Sequence, residues 1–72
     1  MTRKALQTAV EKAGGQTALA RKIGTSQELI FFWLNRAQKG VAPEYVLKIE
    51  RVTGVSRHAL RPDIYPRERE RA

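Results

Sequence analysis

The 72-residue sequence contains no cysteine. Neither a disulfide nor a thiolate metal site can hold the chain together. There is one histidine, and only seven residues are acidic. The acids show no paired spacing for acid–base work, and no nucleophile stands with a base. An enzyme is therefore not expected, nor is a cofactor, a metal site or a small-molecule substrate. No apolar run is long enough to span a bilayer, and the basic N-terminus lacks the apolar segment of a signal peptide. The expected setting is the cytoplasm, without membrane contact. Strand patterns, internal repeats and linkers are also missing, and the length allows one small domain.

Acids are scarce relative to bases. Fourteen Lys and Arg against seven Asp and Glu leave a formal net charge of +7. The excess is spread along the chain rather than gathered in a tail. It points to an anionic partner, the plain alternative being a soluble basic surface with no specific partner. Hydrophobic residues make up 42% of the chain, an ordinary share for a globular protein. A core this small must come from packed helices, with or without a dimer partner.

Glycine and proline divide the chain into five helices. Thr2 can cap a first helix through Ala13, with Leu6, Ala9, Val10 and Ala13 on one face. Gly14 and Gly15 end it. A short second helix covers 16–23, with Leu19, Ala20 and Ile23 inward, and Gly24 stops it. Ser26 caps a third helix to about Arg36. After a loop at 37–42, Pro43 opens a fourth helix over 43–53, burying Val46, Leu47, Ile49 and Val52. Gly54 closes it. Ser56 caps a short last helix to about Leu60. Pro62 ends that helix, and "RPDIYP" follows as an extended tie-down. His58 reads as a packing or surface residue, and Asp63 beside Arg61 as local structure. The domain is read as 1–66, with 67–72 a charged, frayed tail.

The most informative unit is 16–35. Two helices across one glycine, with Ala20 small at the crossing and Leu19, Ile23, Ile30 and Trp33 apolar, make a helix-turn-helix candidate. The alternative is an ordinary pair of helices in a bundle. Successive residues of a helix rotate by about 100°. With Ile30 set at zero, Trp33 and Leu34 share its side and Leu29 lies at the edge. Phe31 and Phe32 point outward with Glu28 and Asn35. Two outward phenylalanines need an explanation. They contact thymine methyls in a major groove, or one ring packs down on helix 2 or the 37–42 loop with only its edge exposed, or another protein covers them.

The polar positions sort by role. Gln16 and Thr17 open helix 2, where backbone N–H groups and the helix dipole suit a phosphate. Arg36, Lys39 and the Gly40 backbone follow helix 3, in reach of a flanking phosphate. Gln27 suits adenine and Glu28 suits cytosine, while Asn35 either reads a base or ends the helix. Arg21 and Lys22 read as a solvated face.

The stretch "GGQTALARKIGTSQELIFFWL" resembles the helix-turn-helix of the lambda Cro and repressor superfamily. Together with "PEYVLKIERVTGVSRHALRPDIYP" it is most similar to the YdaS-like group of prophage Cro-type proteins, regarded as antitoxins of the YdaS/YdaT system. The resemblance covers about residues 3 to 66. It implies an all-α, five-helix, lambda-repressor-like domain that represses transcription as a dimer on a palindromic operator. It supports Gln16 and Thr17 at the phosphate, and Ser26, Gln27 and Glu28 at the start of recognition. Thr25 departs from the valine usual there, and Phe31 and Phe32 replace residues that are often serine and glutamine.

The expectation is therefore a sequence-specific repressor of double-stranded DNA, acting through helix 3. The rival is an antitoxin-type module that covers a toxin through Phe31 and Phe32. A dimer contact is expected over 56–66, where Leu60, Ile64 and Tyr65 are apolar; otherwise these residues fold back on helices 1 and 4.

Overall fold

A computed structural model describes residues 2–66. The tail expected over 67–72 lies outside the described residues, and so does the side chain of Thr2. The described chain is all-α. It forms α1 (Thr2–Ala13), α2 (Gln16–Ile23), α3 (Gln27–Asn35), α4 (Pro43–Thr53) and α5 (Arg57–Leu60). The local signals set these ends. Gly14 and Gly15 hold φ of 102° and 121°, values that side chains rarely tolerate. Gly24 caps α2 in the left-handed region, its N–H on the Ala20 carbonyl. Ser26 Oγ accepts from Leu29 N at 3.2 Å and starts α3. Pro43 stands in the first turn of α4, where its missing N–H costs nothing. Ser56 Oγ accepts from His58 N at 2.9 Å and starts α5.

α1 packs on all four other helices, and α2 also packs on α3 and α4. Leu6, Leu19, Ile30, Val46, Ile49 and Leu60, one or more from each helix, are fully buried. Trp33 tilts against Tyr45 with ring centroids 5.4 Å apart, joining α3 to α4.

Two sequence expectations differ from the structure. Leu47 and Val52 do not join the core; they are 41% and 40% exposed. On α4, Val46 and Ile49 face inward, and Leu47 and Val52 fall about 100° and 120° round from Val46. Nor is the segment after Pro62 extended. It turns, with the Arg61 carbonyl accepting from Ile64 N at 3.2 Å and Tyr65 N at 2.9 Å. Proline followed by aspartate is turn chemistry, and that local preference wins.

The turn is anchored by Arg61, which is 6% exposed. Its Nε and Nη2 donate to the two Asp63 carboxylate oxygens at 2.9 and 2.7 Å. Its Nη1 donates to the Val41 carbonyl at 2.6 Å, tying the turn to the loop before α4. His58 Nδ1 donates to the Tyr65 carbonyl at 2.8 Å, and Arg57 lies over the Tyr65 ring. The 56–66 segment therefore folds back on the body of the domain. Leu60 is fully buried and Tyr65 packs on the core; only Ile64 of the three apolar residues stays exposed. Leu60 is not available for the dimer contact expected of it.

Candidate nucleic-acid interface

The helix, turn and second helix expected over 16–35 are present. The turn rests on Gly24, with φ 79° and ψ 39°, and the Thr25 N–H bonds to the Ala20 carbonyl at 2.8 Å. Leu19, Ala20, Ile23, Ile30 and Trp33 are all buried, so one apolar seam locks α2 to α3. That seam fixes which residues of α3 face outward. Phe31 and Phe32 are 48% and 46% exposed, and Glu28 is exposed between them and the helix start. About half of each phenylalanine is covered, and that exposure is compatible with all three explanations, partial packing of one ring included.

The N-cap of α2 is Gly15, which offers no side chain to cap it. The first intrahelical donor to Gly15 is Leu19 N, leaving the N–H groups of Gln16, Thr17 and Ala18 at an uncapped positive helix end. Thr17 is exposed there and Gln16 is half-buried. Gln27 Nε2 donates to Gln16 Oε1 at 2.6 Å, across 11 residues of sequence. The first residues of the two helices are thus joined at one point on the surface.

Gln16, Phe31 and Asn35 also line one groove with Arg3, Gln7 and Glu11 of α1. Asn35 Nδ2 donates to the Phe31 carbonyl at 2.9 Å, one turn back on its own helix. This engages one amide hydrogen and leaves Oδ1 and the other hydrogen outward. Arg3 Nη2 reaches the Asn35 carbonyl at 3.5 Å, the outer limit of a hydrogen bond, and so brings a cation to the C-terminal end of α3. Sequence reasoning missed Arg3, because nothing local links position 3 to position 35.

Not every expected residue joins this cluster. Phe32 is exposed outside the groove. Ser26 is exposed, but its oxygen is occupied in capping α3. Arg36 is exposed and forms the C-cap of α3. Lys39 is exposed and lines a separate depression with Gln38, Pro62 and Asp63. The Asp63 carboxyl is lowered to about 2, chiefly by the Arg61 hydrogen bonds and least by Lys39. A phosphate near Lys39 would meet this carboxylate as well. The same hydrogen bond to Asp63 raises the Arg61 guanidinium above its ordinary value, against the opposing effect of burial.

Among the described residues no group of His, Cys, Asp and Glu is placed to hold a metal ion, and no helix is long and apolar enough to cross a membrane. The chemistry on offer is that of a binding surface: amides, an open helix N-terminus, two aromatic faces and flanking cations. A family model described as "Bacterial toxin YdaS" matches residues 6–69. No curated protein and no solved structure matches the chain.

Proposed function

We propose that this chain, which belongs to the bacterial toxin YdaS family, is a sequence-specific double-stranded DNA-binding repressor of the Cro type. In this reading α3 enters the major groove, and the N-terminus of α2 meets a phosphate beside it. The observation that carries the reading is the Gln16–Gln27 bond at 2.6 Å. A glutamine pairs bidentately with adenine through Oε1 and one amide hydrogen. Gln27 has two amide hydrogens, so one can hold Gln16 while the other meets the base. Gln16 keeps both of its own amide hydrogens for a phosphate oxygen next to the α2 backbone. One pair thus couples backbone positioning to base reading, which are otherwise separate tasks.

Ser26, Glu28, Asn35 and the two phenylalanines complete the reading surface in this proposal, with Thr17, Arg36 and Lys39 at phosphates. The net charge of +7 supports an anionic partner of this size. One domain covers a half-site, so the proposal includes a two-fold dimer on the operator. Such a protein works where the chromosome is, in the bacterial cytoplasm, and performs no catalysis. The family's description as a toxin and the antitoxin role implied by the resemblance both fit a DNA binder. Occupying a promoter silences a harmful gene in one case and an essential one in the other.

Selection of bound sequences from a random duplex pool, followed by affinity measured against salt, tests the proposal. A single enriched motif and a steep fall of affinity with salt are expected. Binding without a motif defeats it.

The exposure of Phe31 and Phe32 favours a second reading, in which this face covers another protein. An apolar contact of that kind would be nearly indifferent to salt.

A further inference from the structure

The tertiary fold assembles a second charged surface away from the Gln16–Gln27 pair. Arg21 and Lys22, from the last turn of α2, meet Lys48 and Arg51 of α4 around one depression of about 460 Å³. Ile23, Gly24 and Val52 complete its lining, and no acid does. All four cations are exposed. The two ion pairs among the described residues, Glu50 with Arg57 and Asp63 with Arg61, use none of them. Lys48 is held in place by its Nζ over the Tyr45 ring, 5.4 Å from the centroid. Two aliphatic side chains stand beside the cations. Val52 lines the depression, and Leu47 lies one helical turn from Arg51 on the same face of α4. Leu47 and Val52 are the two residues whose sequence pattern belonged to the core and which are nevertheless 41% and 40% exposed.

We propose that this α2–α4 surface docks an acidic amphipathic segment of a partner protein. The occupant follows from charge and from the aliphatic pair. Four cations clustered without an acid repel one another, and a complementary anion relieves that repulsion. A duplex backbone or a free phosphate supplies the charge but gains nothing from Leu47 and Val52. A helix with carboxylates on one side and aliphatic residues beside them uses both features. The surface lies at the C-terminal end of α2. The proposed DNA contact uses the other end, about 12 Å away along this eight-residue helix. The docking surface is thus independent of the DNA-binding proposal and leaves α3 free.

The test uses the full chain, isotope-labelled, and a synthetic helical peptide with glutamates on one face and leucines beside them. Saturable amide shift changes at 21–24 and 47–52 are expected. The variant Lys48→Glu/Arg51→Glu should bind at least tenfold more weakly. Leu47→Ser/Val52→Ser should also lose most of the peptide affinity while binding polyglutamate as the native chain does. These side chains are exposed, so each variant should melt near the native temperature. If the Lys48/Arg51 variant does not fold, Arg21→Gln/Lys22→Gln takes its place with the same expectation. Shift changes centred on Phe31 and Phe32 overturn the proposal. So does polyglutamate binding as tight as that of the peptide, which would leave charge alone. A duplex oligonucleotide whose affinity falls by the same factor in the Lys48/Arg51 variant also overturns it, assigning the surface to nucleic acid.

Discussion

Gln27 Nε2 donates to Gln16 Oε1 at 2.6 Å, and this bond joins the first residue of α3 to the first residue of α2. If the pair acts as one unit on DNA, its two members are not independent. Gln27→Ala should cost about 1–3 kcal/mol at the cognate site and relax one base position. Gln16→Ala should also weaken the cognate site, because the Gln27 amide loses the group that orients it. The double variant should show a coupling of about 0.5–3 kcal/mol in a binding cycle. Additive losses, or equal losses on cognate and random duplex, would remove Gln27 from base reading.

Arg36 and Lys39 are both exposed cations after the reading helix, but their surroundings differ. Lys39 has Asp63 beside it and Arg36 has no acid partner among the described ion pairs. Arg36→Ala should weaken binding to all sequences and reduce the slope of log affinity against log salt by about one. Lys39→Ala should do so by less. Equilibrium binding at four or five salt concentrations measures both, and a larger effect at Lys39 would contradict the placement.

Phe31 and Phe32 are about half exposed, while Ile30 and Trp33 are buried beneath them. Phe31→Ala/Phe32→Ala should therefore stay folded in thermal unfolding. Should the native chain contact a thymine methyl, replacing that thymine with uracil should cost about 1 kcal/mol, near the worth of one buried methyl. The double variant should be largely indifferent to the same change. If instead it binds operator at full strength and loses a protein partner, the protein-interaction reading gains.

The Arg61 guanidinium holds Asp63 and the Val41 carbonyl together. Arg61→Met keeps much of the stem but leaves that carbonyl without its donor. A loss of about 1–3 kcal/mol is expected, mostly from the unsatisfied carbonyl. For a domain of this size each kcal/mol lowers the melting temperature by about 4–8 °C. Arg61→Lys should rescue only partly, since an ammonium cannot supply the planar fork. A native-like melting temperature for Arg61→Met would show that the turn is held by other contacts.

Asp63 also sets an acid limit. Its carboxyl lies at about 2 in the folded chain, against 3.8 ordinarily. Between these values the unfolded chain binds the proton and the folded chain does not, so stability rises with pH there. The contribution is present above about pH 4 and is lost as pH falls toward 2. Denaturant melts from pH 5 to pH 2 should show this loss in the native chain. Asp63→Asn should be less stable at pH 5 and should show less of the decline. An equal decline in both would assign the acid sensitivity to other carboxylates.

The helices and their ends could be read from the residues in order, because those signals are local. Glycines with positive φ at 14, 15, 24 and 54, serine caps at 26 and 56 and the proline at 43 each act within one turn. The buried sides of α1 and α2 were also legible, since each carries one narrow apolar stripe. α4 is apolar at 45, 46, 47, 49 and 52, more than one face can hold, so only packing against α1, α2 and α5 decided that Leu47 and Val52 stay outside. Within the candidate site the outward direction of Phe31 and Phe32 followed from helical rotation once Ile30 and Trp33 were placed at the crossing with α2. The bond between Gln16 and Gln27 did not, nor did Arg3 near Asn35, Arg61 beneath Val41, or the gathering of Arg21 and Lys22 with Lys48 and Arg51. Each joins positions 11 to 32 residues apart. A side chain's partner across such a distance is chosen by how the helices cross, which a repeat of 3.6 residues along one helix does not encode.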